Sequence, residues 1–215
     1  MTPKAVLFDC DGVLVDSERL TNAIVRDDLA AAGLEMTLDE VMNAFVGGTM
    51  VGVADEARCM GADLPDDWVP QFYKRLYARL AEGTPLIAGV ETVLDRLDAA
   101  GIVYGVGSNG STEKMQTTLG QHPTVWNRVK DHLYSGQELG CAKPDPGLYL
   151  HVAKALGVAP EACVVVEDSV NGCRAGVAAG IRTLGYAAHG EGATLAATGA
   201  EVFTDMVDLP GLIGL

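Results

Sequence analysis

The sequence predicts an α/β fold with a parallel sheet, interrupted by an all-helical insert. Three short apolar runs, Ala5–Phe8, Val103–Val106 and Cys163–Val166, each end in polar residues and each precede a helix-forming stretch. Buried strands that alternate with helices are typical of a parallel sheet. The stretch from Ser17 to Gly83 has no strand pattern, so we predict that it is helical.

Three weaker strand candidates complete the predicted sheet: His132–Tyr134, Arg182–Leu184 and Glu201–Phe203. In parallel α/β sheets, ligands bind beyond the carboxyl ends of the strands. The polar clusters of this chain follow the apolar runs at those ends. We therefore predict that they share one cleft.

The insert has its own helix signals. Thr37-Leu38-Asp39-Glu40 fits a capping box, and Gly83-Thr84-Pro85 ends the last predicted helix. A single crossover helix is far shorter than this insert. We assign residues 17–83 to a helical cap domain and residues 1–16 and 84–215 to the α/β core. The apolar positions of the last insert helix are Val69, Phe72, Tyr73, Leu76 and Leu80.

Helices of the core are predicted from apolar spacing and from their end signals. Val90 to Leu97 predicts one helix that ends before Gly101. Asp145-Pro146 is a suitable N-cap and first-turn pair for a helix that runs through Leu156. Asn171 to Ala179 predicts another helix.

Composition excludes several classes of partner. The 215 residues include 15 basic and 29 acidic side chains, a net charge of −14. Nucleic acids and anionic membranes are bound by basic surfaces, so we expect neither as a partner. No apolar run approaches the length of a membrane span. Five scattered cysteines without a C-x-x-C pair predict reduced thiols and a cytoplasmic location.

Two carboxylates, Asp9 and Asp11, follow the first apolar run, and Gly12 permits a turn there. Paired carboxylates serve metal binding, acid–base catalysis or nucleophilic attack. An Asp-Gly turn with capping carboxylates explains this pattern equally well. Taken alone, the pair leaves these interpretations open.

The other clusters favour chemistry. Glu167-Asp168 adds two carboxylates at another strand end, and gathered carboxylates repel unless a cation is present. Oxygen ligands without histidine or cysteine favour Mg²⁺. Ser108-Asn109 precedes a helix and suits phosphate oxygens. Lys143, alone, would be interpreted as a solvated surface charge, and it gains weight as the fourth member of the set.

Together these elements resemble motifs I to IV of the haloacid dehalogenase-like superfamily. The resemblance covers nearly the whole chain and implies a Rossmann-like core with a helical cap inserted after the first motif. The elements are Asp9-x-Asp11-Gly12-Val13-Leu14-Val15-Asp16-Ser17, Ser108-Asn109, Lys143-Pro144 and Glu167-Asp168-Ser169.

The resemblance implies a division of labour at a phosphoryl group. Asp9 would be the nucleophile that forms an aspartyl-phosphate. Asp11 would protonate the leaving alcohol and then activate water. Ser108 and Asn109 would hold the phosphoryl oxygens, and Lys143 would steady both those oxygens and Asp9.

The resemblance also implies a Mg²⁺ site. The ion would be held by the Asp9 carboxylate, the backbone carbonyl of Asp11 and the Asp168 carboxylate. Glu167 would bind it directly or through water. Superfamily members that break carbon–halogen bonds lack the second aspartate, so Asp11 favours a phosphoric monoester hydrolase.

The subgroup that this chain resembles contains sugar-phosphate phosphatases and β-phosphoglucomutases. The mutases use a cap histidine and a cap Lys/Arg pair, whose places here hold Thr21, Val46 and Met50. We therefore favour hydrolysis of a small phosphorylated metabolite, a sugar or sugar-acid phosphate, and keep a phosphomutase as the alternative. A non-catalytic phospho-acceptor module is disfavoured by Asp11 and by the large insert.

Substrate selection is expected in the cap. Gly47 and Gly48 are predicted to lie over the leaving group, although a simple interhelical turn explains them equally well. Ser108-Asn109-Gly110 with Lys114-Met115-Gln116 is similar to bacterial 6-phosphogluconate phosphatase-like proteins.

Overall fold

A computed structural model describes residues 2–45, 49–188, 190 and 192–215. The chain forms two compact units, one of Met1–Asp16 with Pro85–Leu215 and one of Ser17–Thr84. The division places Thr84 with the helical unit, one residue beyond the boundary assigned from the sequence. The Thr84 hydroxyl donates a 2.9 Å hydrogen bond to the carbonyl of Leu80, which ties it to the last helix of that unit.

The helical unit packs around its own apolar core, to which Phe72, Leu76 and Leu80 contribute. The predicted capping box is confirmed. The Thr37 hydroxyl accepts a hydrogen bond from the Glu40 amide, and the Glu40 carboxylate accepts one from the Thr37 amide. The helices are α1 (Glu18–Ala31), α2 (Leu38–Ala44), α3 (Met50–Cys59) and α4 (Trp68–Glu82).

The second unit contains a parallel sheet, and the predicted α/β class is confirmed. Within the described residues the sheet has six strands in the order β3-β2-β1-β4-β5-β6. The strands are β1 (Ala5–Phe8), β2 (Val103–Ser108), β3 (Leu133–Ser135), β4 (Cys163–Glu167), β5 (Arg182–Tyr186) and β6 (Glu201–Phe203). Strands β2, β4 and β5 extend one or two residues beyond their predicted ranges, and β3 is displaced by one residue.

Helices cover both faces of the sheet. Ala5 and Leu7 of β1 pack into one apolar cluster, whereas Val6 and Phe8 pack into the other. Burial on both faces explains why the central strands β1 and β4 contain continuous apolar runs. The helices of this unit are α5 (Val90–Ala99), α6 (Thr112–Leu119), α7 (Pro123–Val129), α8 (Gly136–Leu139), α9 (Gly147–Ala155), α10 (Val170–Ala178), α11 (Gly192–Ala196) and α12 (Leu209–Leu212).

Two helix starts differ from the prediction by one residue. Helix α9 has Pro146 as its N-cap, and the Asp145 carboxylate accepts a hydrogen bond from the Gly147 amide at 2.7 Å. Proline has no N–H, so the carboxylate bonds the next amide along the chain. Helix α10 begins before Asn171, because Ser169 caps it through the Gly172 amide at 3.0 Å.

A helix that crosses a membrane must be both long and apolar. Among the helices of the described residues, none combines the length and the apolar character needed to cross a bilayer.

Candidate active site

The sheet order brings the predicted polar clusters to one edge. Strand β1 lies between β2 and β4, with Phe8 in register with Val106 on one side and Val166 on the other. The Asp9 amide continues the pairing with a 3.0 Å hydrogen bond to the Val166 carbonyl. Asp9, Ser108 and Glu167 therefore emerge at the same carboxyl edge.

A buried lysine links two of these carboxylates. The Lys143 ammonium lies 2.5 Å from Asp9 Oδ1 and 2.5 Å from Glu167 Oε1, and its side chain is 4% exposed. Buried charges are stable only when they are paired and hydrogen-bonded. The loop residue Lys143, which follows β3 and precedes a cis peptide bond to Pro144, thus belongs to the carboxylate cluster.

Asn109 holds this lysine in place. Its side-chain amide donates to the Lys143 carbonyl at 3.1 Å, and its side-chain oxygen accepts from the Lys143 amide at 2.8 Å. The two bonds fix the backbone from which the lysine side chain enters the site. The Asn109 side chain therefore positions Lys143, a role that the sequence did not predict.

Glu167 is fully buried, and both of its carboxylate oxygens accept hydrogen bonds. Oε1 accepts from Lys143 and from the Tyr149 hydroxyl, which lies at 2.8 Å. Oε2 accepts from the Asp168 amide and from both the amide and the hydroxyl of Ser169. Five donors therefore orient this carboxylate. Through them Glu167 is hydrogen-bonded both to the Lys143 ammonium and to the backbone amide of Asp168.

Tyr149 is a site residue that the sequence did not reveal. The Lys143 ammonium lies 5.0 Å from the centre of its ring, within the range of a cation–π interaction. Burial and the neighbouring Glu167 raise the pKa of Tyr149 well above its usual value, so its hydroxyl remains a donor. Helical spacing in α9 indicates burial of this residue but gives no sign of its polar partner.

Asp9 is nearly buried, and its surroundings disfavour its negative charge. Burial raises the pKa of Asp9 to about 7, with Glu167 and Asp11 adding to the rise and Lys143 opposing it. A cation beside Asp9 would stabilise the charged form.

The acidic cluster suits a divalent metal ion. Asp9, Glu167 and Asp168 each offer an oxygen, and these oxygens lie within 4.8 Å of one another. Asp11 adds a fourth carboxylate, and the site has two ammonium groups, those of Lys114 and Lys143. With all of these groups ionised, the net charge of the site is −2. An oxygen-only set of this charge fits Mg²⁺.

Two glycines make room for the carboxylates. Gly12 has a φ of 79°, and a Cβ placed there would lie 1.8 Å from an Asp168 carboxylate oxygen. The positive φ of Gly12 makes the turn possible, and the absence of a side chain there leaves room for the Asp168 carboxylate. A Cβ at Gly172, in α10, would lie 1.8 Å from Glu167 Oε1.

The Gly172→Ala variant should lose stability and activity together. Its new methyl group would displace a buried, fully bonded carboxylate, and overpacking of this kind costs about 1–3 kcal/mol. Gly211→Ala, in α12, is the matched control because no atom lies within 4 Å of its added Cβ. Thermal unfolding and phosphate release would be measured for both; equal behaviour of the two variants would contradict the prediction.

Asp11 is paired with a second lysine. Lys114 Nζ lies 2.8 Å from Asp11 Oδ1, and the two side chains are 17% and 21% exposed. Burial lowers the pKa of Lys114, but the adjacent Asp11 carboxylate outweighs burial and raises it. A Cβ at Gly110 would lie 3.3 Å from Ser108 Oγ, 3.4 Å from Lys114 Cδ and 3.6 Å from Asp11 Oδ2. These three side chains therefore surround Gly110.

The structure thus brings most of the predicted residues together. Asp9, Lys143 and Glu167 are joined by hydrogen bonds, and Asp168 lies in the same acidic cluster. Ser108 is buried, and its hydroxyl accepts a hydrogen bond from the Gly110 amide at 3.0 Å. The predicted cap residues Gly47 and Gly48 lie outside the described residues.

The chain is similar to known proteins over most of its length. The profile of the haloacid dehalogenase-like hydrolases matches residues 3–180. The chain is 31% identical to 6-phosphogluconate phosphatase of Escherichia coli over 97% of this chain and 94% of the relative. It is 35% identical to phosphoglycolate phosphatase of Xanthomonas campestris over 83% of this chain and 80% of the relative.

A solved structure is similar over nearly the full length. It is a hydrolase of the same family from Deinococcus radiodurans, with bound phosphate and sodium. It has a TM-score of 0.86 and 34% identity, and the match covers 98% of this chain and 95% of that one.

The matched relatives are named as phosphatases, and the predicted enzyme class, a phosphoric monoester hydrolase, is confirmed. The profile spans most of the chain, and one relative exceeds 30% identity over nearly all of it. The chain therefore belongs to the haloacid dehalogenase-like hydrolase family.

Proposed function

We propose that this protein is a Mg²⁺-dependent phosphatase that hydrolyses small phosphorylated metabolites, sugar or sugar-acid phosphates, through an aspartyl-phosphate. The observation that carries the proposal is the buried lysine that bridges Asp9 and Glu167 at 2.5 Å from each. A purely structural turn of two aspartates would not need a fully desolvated cation beside it.

Asp9 is the nucleophile in this proposal. One of its oxygens attacks phosphorus, and the bond between phosphorus and the leaving alcohol oxygen breaks. Asp11 donates a proton to that oxygen, which gives a neutral alcohol and an Asp11 carboxylate. A general acid at this step typically contributes about 10²–10⁴-fold in rate.

The second step releases phosphate. Asp11 accepts a proton from water as the water oxygen attacks phosphorus, and the bond between Asp9 and phosphorus breaks. Asp9 and the proton on Asp11 are thereby restored. Covalent catalysis of this kind replaces one difficult step with two easier ones.

The remaining residues hold charge. Ser108 ends β2 and Asn109 follows it, and both would hold the oxygens of the transferred group. Lys143 would offset the repulsion between Asp9 and a phosphate dianion. The cap residues Gly47 and Gly48 stay predicted neighbours of the leaving group.

Mg²⁺ would be held by the Asp9 carboxylate, the Asp11 carbonyl and the Asp168 carboxylate. When bound, the ion supplies positive charge that lowers the repulsion between a carboxylate nucleophile and the phosphate. Glu167 already accepts hydrogen bonds at both oxygens, so we assign it the orientation of Lys143 and of the Asp168 backbone rather than a direct bond to the ion.

A screen of phosphorylated metabolites tests the proposal. We expect phosphate release from sugar or sugar-acid phosphates with Mg²⁺ present, its loss after EDTA treatment, and its return when Mg²⁺ is added in excess. Calorimetric titration of the metal-free protein with Mg²⁺ gives a readout that is independent of turnover. Full activity in EDTA, or no Mg²⁺ binding, would contradict the metal assignment. Isomerised product without net phosphate release would favour a phosphomutase.

A further inference from the structure

Lys114 occupies a place that the proposed hydrolysis does not use. It is the third residue of α6, and its amide donates a 3.1 Å hydrogen bond to the hydroxyl of the N-cap Ser111. This places the root of the side chain beside the loop that follows β2. The side chain then reaches Asp11, with its ammonium 2.8 Å from the carboxylate.

The two site lysines differ in their exposure and in the number of carboxylates that each one binds. Lys143 is 4% exposed and bridges two carboxylates. Lys114 is 17% exposed and, among the described residues, forms its ion pair with the single carboxylate of Asp11. An ammonium group has three N–H donors, so Lys114 can keep Asp11 and still bind a second anion.

The location of Lys114 defines which part of a substrate it would meet. Under the proposed mechanism Asp11 contacts the oxygen of the leaving alcohol. The Lys114 ammonium, 2.8 Å from Asp11, is therefore close enough to reach the leaving part of a substrate held there. A Cβ at Gly110 would lie 3.3–3.6 Å from atoms of Ser108, Lys114 and Asp11, so these three side chains lie close together around a residue that has no side chain of its own.

We propose that Lys114 is a specificity-determining residue that binds a carboxylate on the leaving part of the substrate. The preferred substrates are then phosphate monoesters of hydroxy acids rather than of neutral polyols. The inference rests on the proposed phosphatase function. Its physical basis is charge: the site keeps two negative charges after its two lysines are counted, so an additional carboxylate on the substrate is repelled unless an ammonium group such as that of Lys114 faces it.

Two matched substrate pairs isolate the carboxylate. 6-Phosphogluconate differs from sorbitol 6-phosphate, and phosphoglycolate from 2-hydroxyethyl phosphate, only by a carboxylate in place of a CH₂OH group. We expect the wild type to show the higher kcat/KM for the acid of at least one pair. Lys114→Met should lower the ratio of acid to alcohol by about tenfold or more, because a hydrogen bond between charged groups is lost. Lys114→Arg should retain part of the preference.

The controls separate this inference from the proposed function. Melting temperatures identify a variant that does not fold, and the wild-type ratios alone can then overturn the inference. No acid preference in the wild type, or equal losses on acid and alcohol in Lys114→Met, would overturn it, because Lys114 would then act only through Asp11. If the wild type still hydrolyses p-nitrophenyl phosphate in that case, only the inference on Lys114 is overturned and the proposed phosphatase function is retained. No phosphate release from any ester overturns both.

Discussion

Asp9→Asn should abolish phosphate release while the protein stays folded. The amide has nearly the shape of the carboxylate but cannot attack phosphorus, so we expect a loss on the order of 10⁴-fold or more. Lys143 keeps Glu167 as a partner, which preserves one of its two buried ion pairs. The measurement is phosphate release with Mg²⁺ at saturating substrate, with thermal unfolding as the test of folding.

The exposed Asp131 provides a matched control, because Asp131→Asn makes the same chemical change away from the site. It should retain wild-type turnover. A folded Asp9→Asn variant with near-full turnover would show that another group attacks phosphorus. Mass analysis of the acid-quenched reaction gives a second test: phosphate should be found on the peptide that contains Asp9 in the wild type and be absent from it in the variant.

The strands could be predicted from the sequence because their signal is local. Each apolar run is buried on both faces of the sheet, so the run itself marks the strand, and the polar residues that follow mark its carboxyl end. Even the three-residue strand β3 was located within one residue. The helix starts at Gly147 and Val170 were displaced by one residue, since a cap is set by the amide that a side chain reaches.

The site was predictable only where residue type signals chemistry. Carboxylates at strand ends are conspicuous, and so are Ser108 and Lys143 once the set is complete. Asn109 holds a backbone 34 residues away, and Tyr149 meets a carboxylate 18 residues away. Contacts of this kind depend on the packed fold and leave no periodicity in the chain. The ion pair of Lys114 could not be predicted for the same reason, since its partner Asp11 is on the loop after another strand.

Lys143→Met should both inactivate and destabilise the protein. Methionine has a similar length but no charge, so Asp9 and Glu167 would face each other in a buried site without their shared cation. Breaking a buried ion pair typically costs about 3–5 kcal/mol. Loss of the charge that offsets the phosphate dianion should lower kcat by on the order of 10³-fold. Lys154→Met, an exposed change in α9, is the control and should alter stability by no more than about 0.5 kcal/mol.

A double variant separates the two effects of Lys143. Adding Glu167→Gln to Lys143→Met removes one of the two repelling carboxylates, so the double variant should be more stable than Lys143→Met alone. Chemical denaturation measures the four free energies of unfolding that complete the cycle. Activity should not return with stability, because the double variant still lacks the Lys143 ammonium that lies beside Asp9 and would offset the charge of the phosphate. Recovery of both would mean that Lys143 serves only to neutralise Glu167, and the buried bridge would then be a feature of the fold rather than of the reaction.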